Sequence, residues 1–395
     1  FSSKFTLCLL LRLYEHICFN MKQTDKFEIF ITTQLGLEHL LQDEIKKFEF
    51  TNPVLLVGGV SITGDWVDVW KANLYLRGAT KVLARIGEFR AFHLAQLDKR
   101  ARKFPWHITI PKGMSIKAEV VTNRKNKIYH AGAAVERIER AISEELGSKI
   151  AGSISSADIV LKIRIIDNNV IISLDTSGDG LYKRGYKLAT GKAPIRENIA
   201  SLALYYCGYS GNEPVIDPMC GSGTIIIEAA EISRNLMPGR NRKFAFQKFN
   251  SYDEKLVEHF VKKWQNKASA LTFTGMDRNH NVVEHSYQNS IRAGIDDISN
   301  FKTQSIEKLT RPNGPAGLVI VNPPYGSRIG KKKDLFSLYR KFGEKMKNEF
   351  SGWRVGMITS DNALAQSTKL LFESSELAIS NGGLKIRVYK TGILA

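Results

Sequence analysis

Asp217–Thr224 reads D-P-M-C-G-S-G-T. Before it, Glu213-Pro214-Val215-Ile216 has the composition of a short buried strand; after it, Ile225-Ile226-Ile227-Glu228-Ala229-Ala230-Glu231-Ile232 has that of a helix. The octet is therefore a strand-to-helix turn. Gly221 and Gly223 let the backbone bend sharply and leave room for a ligand, while the helix start behind them presents free N–H groups. Such a turn at the carboxyl end of a parallel strand is a nucleotide-type site. A dinucleotide fingerprint needs a third glycine where Ile226 stands, and a P-loop needs Gly-Lys-Ser/Thr, so pyrophosphate fits poorly. Asp217, opening the loop, repels phosphate and suits a cationic, amino-acid-bearing ligand such as S-adenosylmethionine. The competing reading is an ordinary turn of another α/β enzyme.

Downstream, Gly317-Leu318-Val319-Ile320-Val321 is a continuous apolar run, the mark of a buried parallel strand, and it ends in Asn322-Pro323-Pro324-Tyr325-Gly326. Consecutive prolines stop both helix and ladder, so Asn322 and Tyr325 sit on a stiff turn. The N-P-P-Y turn after a strand resembles the signature of amino-methyltransferases of the class I S-adenosylmethionine-dependent fold. An exocyclic amine on a nucleobase is a poor nucleophile because its lone pair is delocalised into the ring. The Asn322 side-chain oxygen and the Pro323 carbonyl can accept its two hydrogens and localise that lone pair, Pro324 stiffens the turn, and Tyr325 can stack on an extracted base. No metal is needed for this chemistry. The same turn serves guanine N2 and adenine N6 alike.

The 395 residues suit two or three domains, and the formal charge of +18 is spread over both halves. A basic chain with aromatics between its basic clusters points to nucleic acid. The cysteines, Cys8, Cys18, Cys207 and Cys220, form no C-x-x-C pair, so a zinc site or a disulfide framework is not expected. No run is long and apolar enough for a membrane span. Residues 1–25 are expected to be an extension with little structure: Phe5–Phe19 is broken by Arg12, Glu15 and His16 and lacks a cleavage pattern, while Met21 opens an ordinary cytosolic start.

The order strand (26–32), helix (35–48) and two strands joined at Gly58-Gly59 fits a small ferredoxin-like unit. A helix from Asp65 through Leu76 towards Val82 is expected next. Lys99, Arg100, Arg102 and Lys103 lie beside Phe104 and Trp106, and Arg124, Lys125 and Lys127 beside Tyr129 and His130. The cations can neutralise phosphates and the rings can stack on unpaired bases. A helix over 131–146 and strands over 159–165 and 170–174 precede a turn-rich connector. In the second half, a basic stretch from Pro238 to Phe244 separates the glycine-loop helix from a strand ending at Asp277, which can accept both ribose hydroxyls of a bound nucleoside. A helix (282–293), a strand (298–303) ending before Gln304-Ser305, the N-P-P-Y strand, the run Lys331-Lys332-Lys333 with a helix to Glu349, and a strand (353–360) follow.

The runs S-L-D-T-S-G-D-G-L-Y-K-R-G-Y at the connector, A-P-I-R-E-N-I-A at 193–200, D-P-M-C-G-S-G-T and N-P-P-Y-G together resemble the bacterial ribosomal RNA guanine-N2 methyltransferases that carry a THUMP domain. The resemblance covers roughly residues 26–395. It implies an α/β protein with a Rossmann-like class I methyltransferase domain (191–395), an N-terminal α+β ferredoxin-like segment (26–64), a THUMP RNA-binding module (65–176) and a connector (177–190). It also implies a cytoplasmic enzyme acting on large-subunit ribosomal RNA. In this alignment of motifs, Asp217, Pro218, Met219, Cys220, Gly221, Ser222, Gly223, Thr224, Asp277 and Asn322 surround the S-adenosylmethionine. Relatives carry an acidic residue for the adenine amine where this chain has Gln304-Ser305, either of which could supply an acceptor. Some relatives fuse a second methyltransferase domain; a single activity is expected here. A non-catalytic RNA-binding assembly factor is the alternative of another class, and retention of Asp217, both glycines, Asp277 and Asn322 argues against it.

Overall fold

A first sheet contains β1 (Phe27–Thr32), β2 (Val54–Leu56), β3 (Gly59–Gly64), β4 (Lys81–Arg90), β5 (Ile116–Val121), β6 (Ile159–Ile166) and β7 (Asn169–Asp175), with β4 burying alternate residues, Val82, Ala84 and Ile86. The computed structural model describes residues 26–188, 195–325, 332–374, 377–381 and 384–395, so the extension 1–25, Ala193-Pro194, Gly326 and Lys331 lie outside the described residues. The strand order is β2-β3-β1-β4-β7-β6-β5, antiparallel throughout except for the β5–β6 pair. Its central strand β4 pairs with β1 along Lys81–Ala84 and with β7 along Leu83–Arg90, so one sheet runs across residue 64 without a break. Helices Leu94–Lys103 and Ala131–Leu146 pack on each other beside the β5 end.

The helix after Gly64 runs only from Trp66 to Tyr75, shorter than the reach towards Val82 expected from composition. Asp65 starts it by accepting the Val67 amide at 2.8 Å, and Asp68 returns a bond to the Asp65 amide at 3.2 Å. Glu44 stops it: its carboxylate accepts the Arg77 and Gly78 amides at 2.8 and 2.9 Å, and sheet pairing claims the chain from Lys81.

The second sheet contains β8 (Val215–Asp217), β9 (Phe273–Asp277), β10 (Ser299–Thr303), β11 (Leu318–Val321), β12 (Arg354–Thr359), β13 (Leu377–Asn381) and β14 (Leu384–Lys390). The order is β10-β9-β8-β11-β12-β14-β13; the first five are parallel and β14 is antiparallel to both neighbours. Chain order reverses direction between β8 and β11, which is where a doubly wound sheet opens its ligand crevice. All four residues of β11 are buried, as their unbroken apolarity requires. Helices Glu197–Tyr206 and Thr224–Ser233 fill one face of the sheet with Ile199, Leu202, Ile226 and Ile227. Helix Lys332–Glu349 fills the other with Tyr339, Phe342 and Met346, packed beside Trp353.

The two sheets are joined by buried charge and by an exchanged segment. Arg77, 5% exposed, donates to Glu228 and Glu231 at 3.1 Å each, and Arg240 reaches Glu231 at 2.5 Å. Arg184 donates to Glu228 at 3.3 Å and to the Arg77 carbonyl at 2.6 Å. Such clusters gain little net free energy against desolvation, but they accept one arrangement of the parts. The basic stretch Pro238–Phe244 and the residues after it pack onto the first sheet: Phe244, Phe246, Phe249 and Val257 belong to its core, with Trp70 and Phe246 ring centroids 6.5 Å apart. The connector is equally tied, with Thr176, Ser177, Leu181, Arg184 and Tyr186 buried.

Candidate active site

At the carboxyl end of β8 the backbone turns through Pro218 and Met219, and the Cys220 amide donates to the Met276 carbonyl at 2.8 Å, fastening the loop to β9. Gly221 and Gly223 both take left-handed conformations, φ +52° and +80°. They are required for different reasons. A Cβ on Gly223 would meet Ser286 Cβ at 3.0 Å and the Phe301 ring at 3.1 Å, whereas a Cβ on Gly221 would meet nothing within 4 Å, so Gly221 marks the open side of the loop. Ser222 and Thr224 are buried behind it, where helix Thr224–Ser233 begins. The carbonyls of Gly221 and Ser222 accept from Ser286 Oγ (2.6 Å) and Asn289 Nδ2 (3.1 Å) on helix His280–Ala293. Cys220 is buried on that same side, Sγ 3.9 Å from Ser286 Oγ. Ser286 and Asn289 escaped the sequence reading; their signal is a polar face, with Ser286, Asn289 and Ser290 all fully buried.

Two carboxylates stand at neighbouring strand ends. Asp277 accepts the Gly221 amide at 3.2 Å through Oδ2 and the Asn279 amide at 2.9 Å through Oδ1. Asp217, 1% exposed, accepts the Met219 amide at 3.0 Å. Burial pushes the Asp217 carboxyl up to about 8 despite that bond, and the nearby charge of Asp277 adds to the rise. Beside Asp277, the Gln304 amide donates to the Asp277 carbonyl at 2.9 Å and Gln304 Nε2 donates to Lys308 O at 3.0 Å, which leaves its side-chain oxygen as the acceptor end. Ser305 is half-buried at the start of the short turn Ile306–Lys308.

β11 delivers Asn322 to the same edge. Its Oδ1 is sealed from solvent and has no hydrogen-bond partner among the described residues, which is uncommon for a buried polar atom. Pro323 is buried, and the Pro324 carbonyl accepts the Tyr339 hydroxyl at 3.3 Å. Tyr339 also lies 3.2 Å from Thr359 Oγ1, so it ties the turn to the end of β12. Tyr325 packs between the cores on the two faces of the sheet, half-buried, and burial raises its hydroxyl pKa. Tyr339 carried no local signal in the sequence.

The basic clusters of the first half divide on inspection. Lys99, Arg100 and Lys103 are exposed along helix Leu94–Lys103, and Arg124, Lys125 and Lys127 on the loop after β5. Arg102, expected among the phosphate contacts, is instead paired with Asp98 at 3.0 Å and with Glu144, because helix Ala131–Leu146 brings that carboxylate alongside. Phe104 and Trp106 are not base-stacking rings either: Trp106 is fully buried with Nε1 donating to the Ala101 carbonyl at 2.7 Å, and Phe104 packs on it at 4.4 Å. Tyr129, 51% exposed, remains on the surface beside His130 at 4.2 Å.

Residues 184–390 match the family model of the RMKL-like methyltransferase domain, more than half of the chain. The chain belongs to the RMKL-like methyltransferase family. Residues 28–83 match the RlmL ferredoxin-like domain, a span that includes β4's first strand positions as well as β1 to β3. The RMKL-like chain is 30% identical over 380 residues to the ribosomal RNA large subunit methyltransferase K/L of Marinomonas sp. (strain MWYL1), covering 92% of itself and 52% of that protein. It is 32% identical over 351 residues to the protein of the same name from Psychromonas ingrahamii, covering 85% of itself and 46% of that protein. The chain thus spans about half the length of these curated relatives. Among solved structures, SMU.472, a methyltransferase candidate complexed with SAH, superposes with a TM-score of 0.83 at 26% identity over 95% of this chain and 100% of that one. A structure from Listeria monocytogenes str. 4b F2365, described as a predicted N6-adenine-specific DNA methylase, superposes with a TM-score of 0.81 at 27% identity over 93% and 96%.

Proposed function

We propose that this chain transfers a methyl group from S-adenosylmethionine to the exocyclic N2 amine of a guanine in large-subunit ribosomal RNA, in the cytoplasm. The observation that carries the reading is the Asn322 amide oxygen, buried and without a hydrogen-bond partner among the described residues at the end of β11. An acceptor held dry and free is suited to an N–H that arrives with substrate. The open side of the loop at Gly221, flanked by two carboxylates, fits a ligand with ribose hydroxyls and a cationic amino-acid end. When bound, S-adenosylmethionine supplies an electrophilic methyl on a sulfonium.

In this reading Asp217 faces the cationic end, Asp277 takes the ribose hydroxyls with its remaining lone pairs, and the Gln304 side-chain oxygen or Ser305 takes the adenine amine. Pro218, Met219, Cys220, Ser222 and Thr224 shape the loop from behind. Asn322 Oδ1 and the Pro323 carbonyl accept the two hydrogens of the substrate amine and turn its lone pair outwards. Pro324, held by Tyr339, keeps the turn in register, and Tyr325 stacks on the extracted base. Lys99, Arg100 and Lys103 on helix Leu94–Lys103 and Arg124, Lys125 and Lys127 on the loop after β5 contact phosphates, with Tyr129 and His130 available to stack on unpaired bases.

Guanine over adenine is supported by the names of the curated relatives, and adenine N6 by the name of the Listeria structure. Incubation of the chain with labelled donor and unmodified large-subunit ribosomal RNA, followed by digestion and nucleoside mass spectrometry, separates them. Label in N2-methylguanine is the expected result. Label in N6-methyladenine, or in DNA alone, overturns it.

A further inference from the structure

A cavity of about 640 Å³ opens where the connector meets helix Glu197–Tyr206 and the segment after Pro238. Its walls carry Tyr182 and the cations Lys183, Arg184, Arg196, Arg242 and Lys243, together with Asp179 and a Lys187–Glu197 pair at 3.6 Å. Most of this charge is already engaged. Lys183 pairs with Asp179 at 3.0 Å, Arg184 with Glu228 at 3.3 Å, and Arg242 donates to the carbonyls of Gly180 and Asp179 at 2.8 and 2.7 Å. Arg196 and Lys243 have no carboxylate partner among the described residues. Arg196 is held over the Tyr182 ring, 4.8 Å from guanidinium carbon to centroid, a contact that restrains its long side chain. Burial, and then the charge of Arg184, pull the Arg242 guanidinium down to about 10, as expected where positive charge exceeds local acids.

The cavity also has a meaningful position. Helix Glu197–Tyr206 ends where the Cys207 carbonyl accepts from Arg354 at the start of β12, 2.8 Å away, so its Arg196 end points towards the edge bearing Asp217 and Asn322. We propose that Arg196 and Lys243 form a phosphodiester-binding station that guides the substrate RNA strand from the first sheet towards the Asn322 turn. This rests on the RNA methyltransferase reading. A planar guanidinium stacked on a ring grips a phosphate bidentately, and Lys243 adds a point charge across the cavity.

Full-length wild type, Arg196→Ala, Arg196→Lys, Lys243→Ala and the double alanine variant are titrated with a single-stranded ribosomal RNA fragment by fluorescence anisotropy over a salt series. S-adenosylhomocysteine affinity serves as the fold check. Each alanine change is expected to weaken RNA binding about tenfold or more. Each should also flatten the slope of log affinity against log salt by about 0.7, the single-strand value per phosphate, and the double variant by about 1.4. Arg196→Lys restores the slope but only part of the affinity. Wild-type RNA affinity and slope in the alanine variants overturn this proposal while leaving the methyltransferase reading intact. Absence of RNA binding by the wild type overturns both. Protection by inorganic phosphate that is lost in Arg196→Ala with RNA binding unchanged assigns the cavity to a free anion and overturns the strand role.

Discussion

Asp277 Oδ2 accepts the backbone amide of Gly221 at 3.2 Å, linking the end of β9 to the glycine turn after β8 across 56 positions of sequence. One carboxylate thereby does two tasks: it holds the open side of the loop in its left-handed conformation and keeps lone pairs facing the crevice. Asp277→Ala removes both, and S-adenosylmethionine affinity is expected to fall by about 1–3 kcal/mol, the cost of leaving buried donors unsatisfied. Calorimetric titration checks this. Unchanged affinity removes Asp277 from the site.

If Asp217 faces the cationic end of the ligand as proposed, its raised pKa makes binding pH-dependent. Its folded value of about 8 lies above the ordinary 3.8, so the ligand-free protein retains a proton there at neutral pH. The sign follows directly: this group's contribution to stability is complete below about pH 4 and is lost as pH rises through about 8. A cationic ligand prefers the carboxylate, so its affinity rises from pH 6 towards pH 8 and its binding releases a proton. Calorimetry in buffers of different ionisation enthalpy measures that proton, and Asp217→Asn abolishes both effects. A flat profile in the wild type shows that Asp217 does not meet the cation.

The parts of the site legible in sequence are those written in contiguous residues. Asp217–Thr224 and Asn322–Tyr325 each announce a strand end and a constrained turn within a few positions. Their supports are not contiguous. Ser286 and Asn289 hold the glycine loop from more than sixty residues away, and Tyr339 pins Pro324 from a different helix. Nothing local distinguishes them from ordinary polar or aromatic positions. The same limit explains Trp106 and Phe104: adjacency to Arg102 and Lys103 suggests a nucleic-acid surface, but the helix stops at Lys103, the backbone turns extended at Phe104 and both rings pack inwards, while the neighbouring cations face outwards or pair with acids. Nor does the basic character of Pro238–Phe244 announce that Phe244, Phe246 and Phe249 nearby serve a core built largely from the first half of the chain.

Arg77 is the test of how the two sheets are held together. Removing it leaves Glu228 and Glu231 buried with only Arg184 and Arg240 to compensate. Arg77→Met is expected to destabilise the protein by about 3–5 kcal/mol, the usual penalty for breaking a buried ion cluster by deleting one partner. Urea melts followed by tryptophan fluorescence check it. A loss below about 1 kcal/mol indicates that the cluster is reached by water and does not fix the joint.

In the proposed function Asn322 carries the chemistry, and its variants separate binding from turnover. Asn322→Ala removes one of two acceptors that polarise the substrate amine, so turnover is expected to drop by about two to three orders of magnitude, the scale of losing one preorganised hydrogen-bonding group at a transition state. Cofactor affinity should change far less, because the glycine loop and Asp277 belong to other strands. Tyr325→Ala should instead weaken capture of the target RNA by roughly 1–3 kcal/mol, the worth of one base stacked on a ring. Single-turnover rates and RNA titrations on the same preparations distinguish the two. Near-normal turnover by the Asn322 variant rejects the amine-polarising mechanism, since the buried oxygen, without a partner among the described residues, would then be idle in the reaction as well.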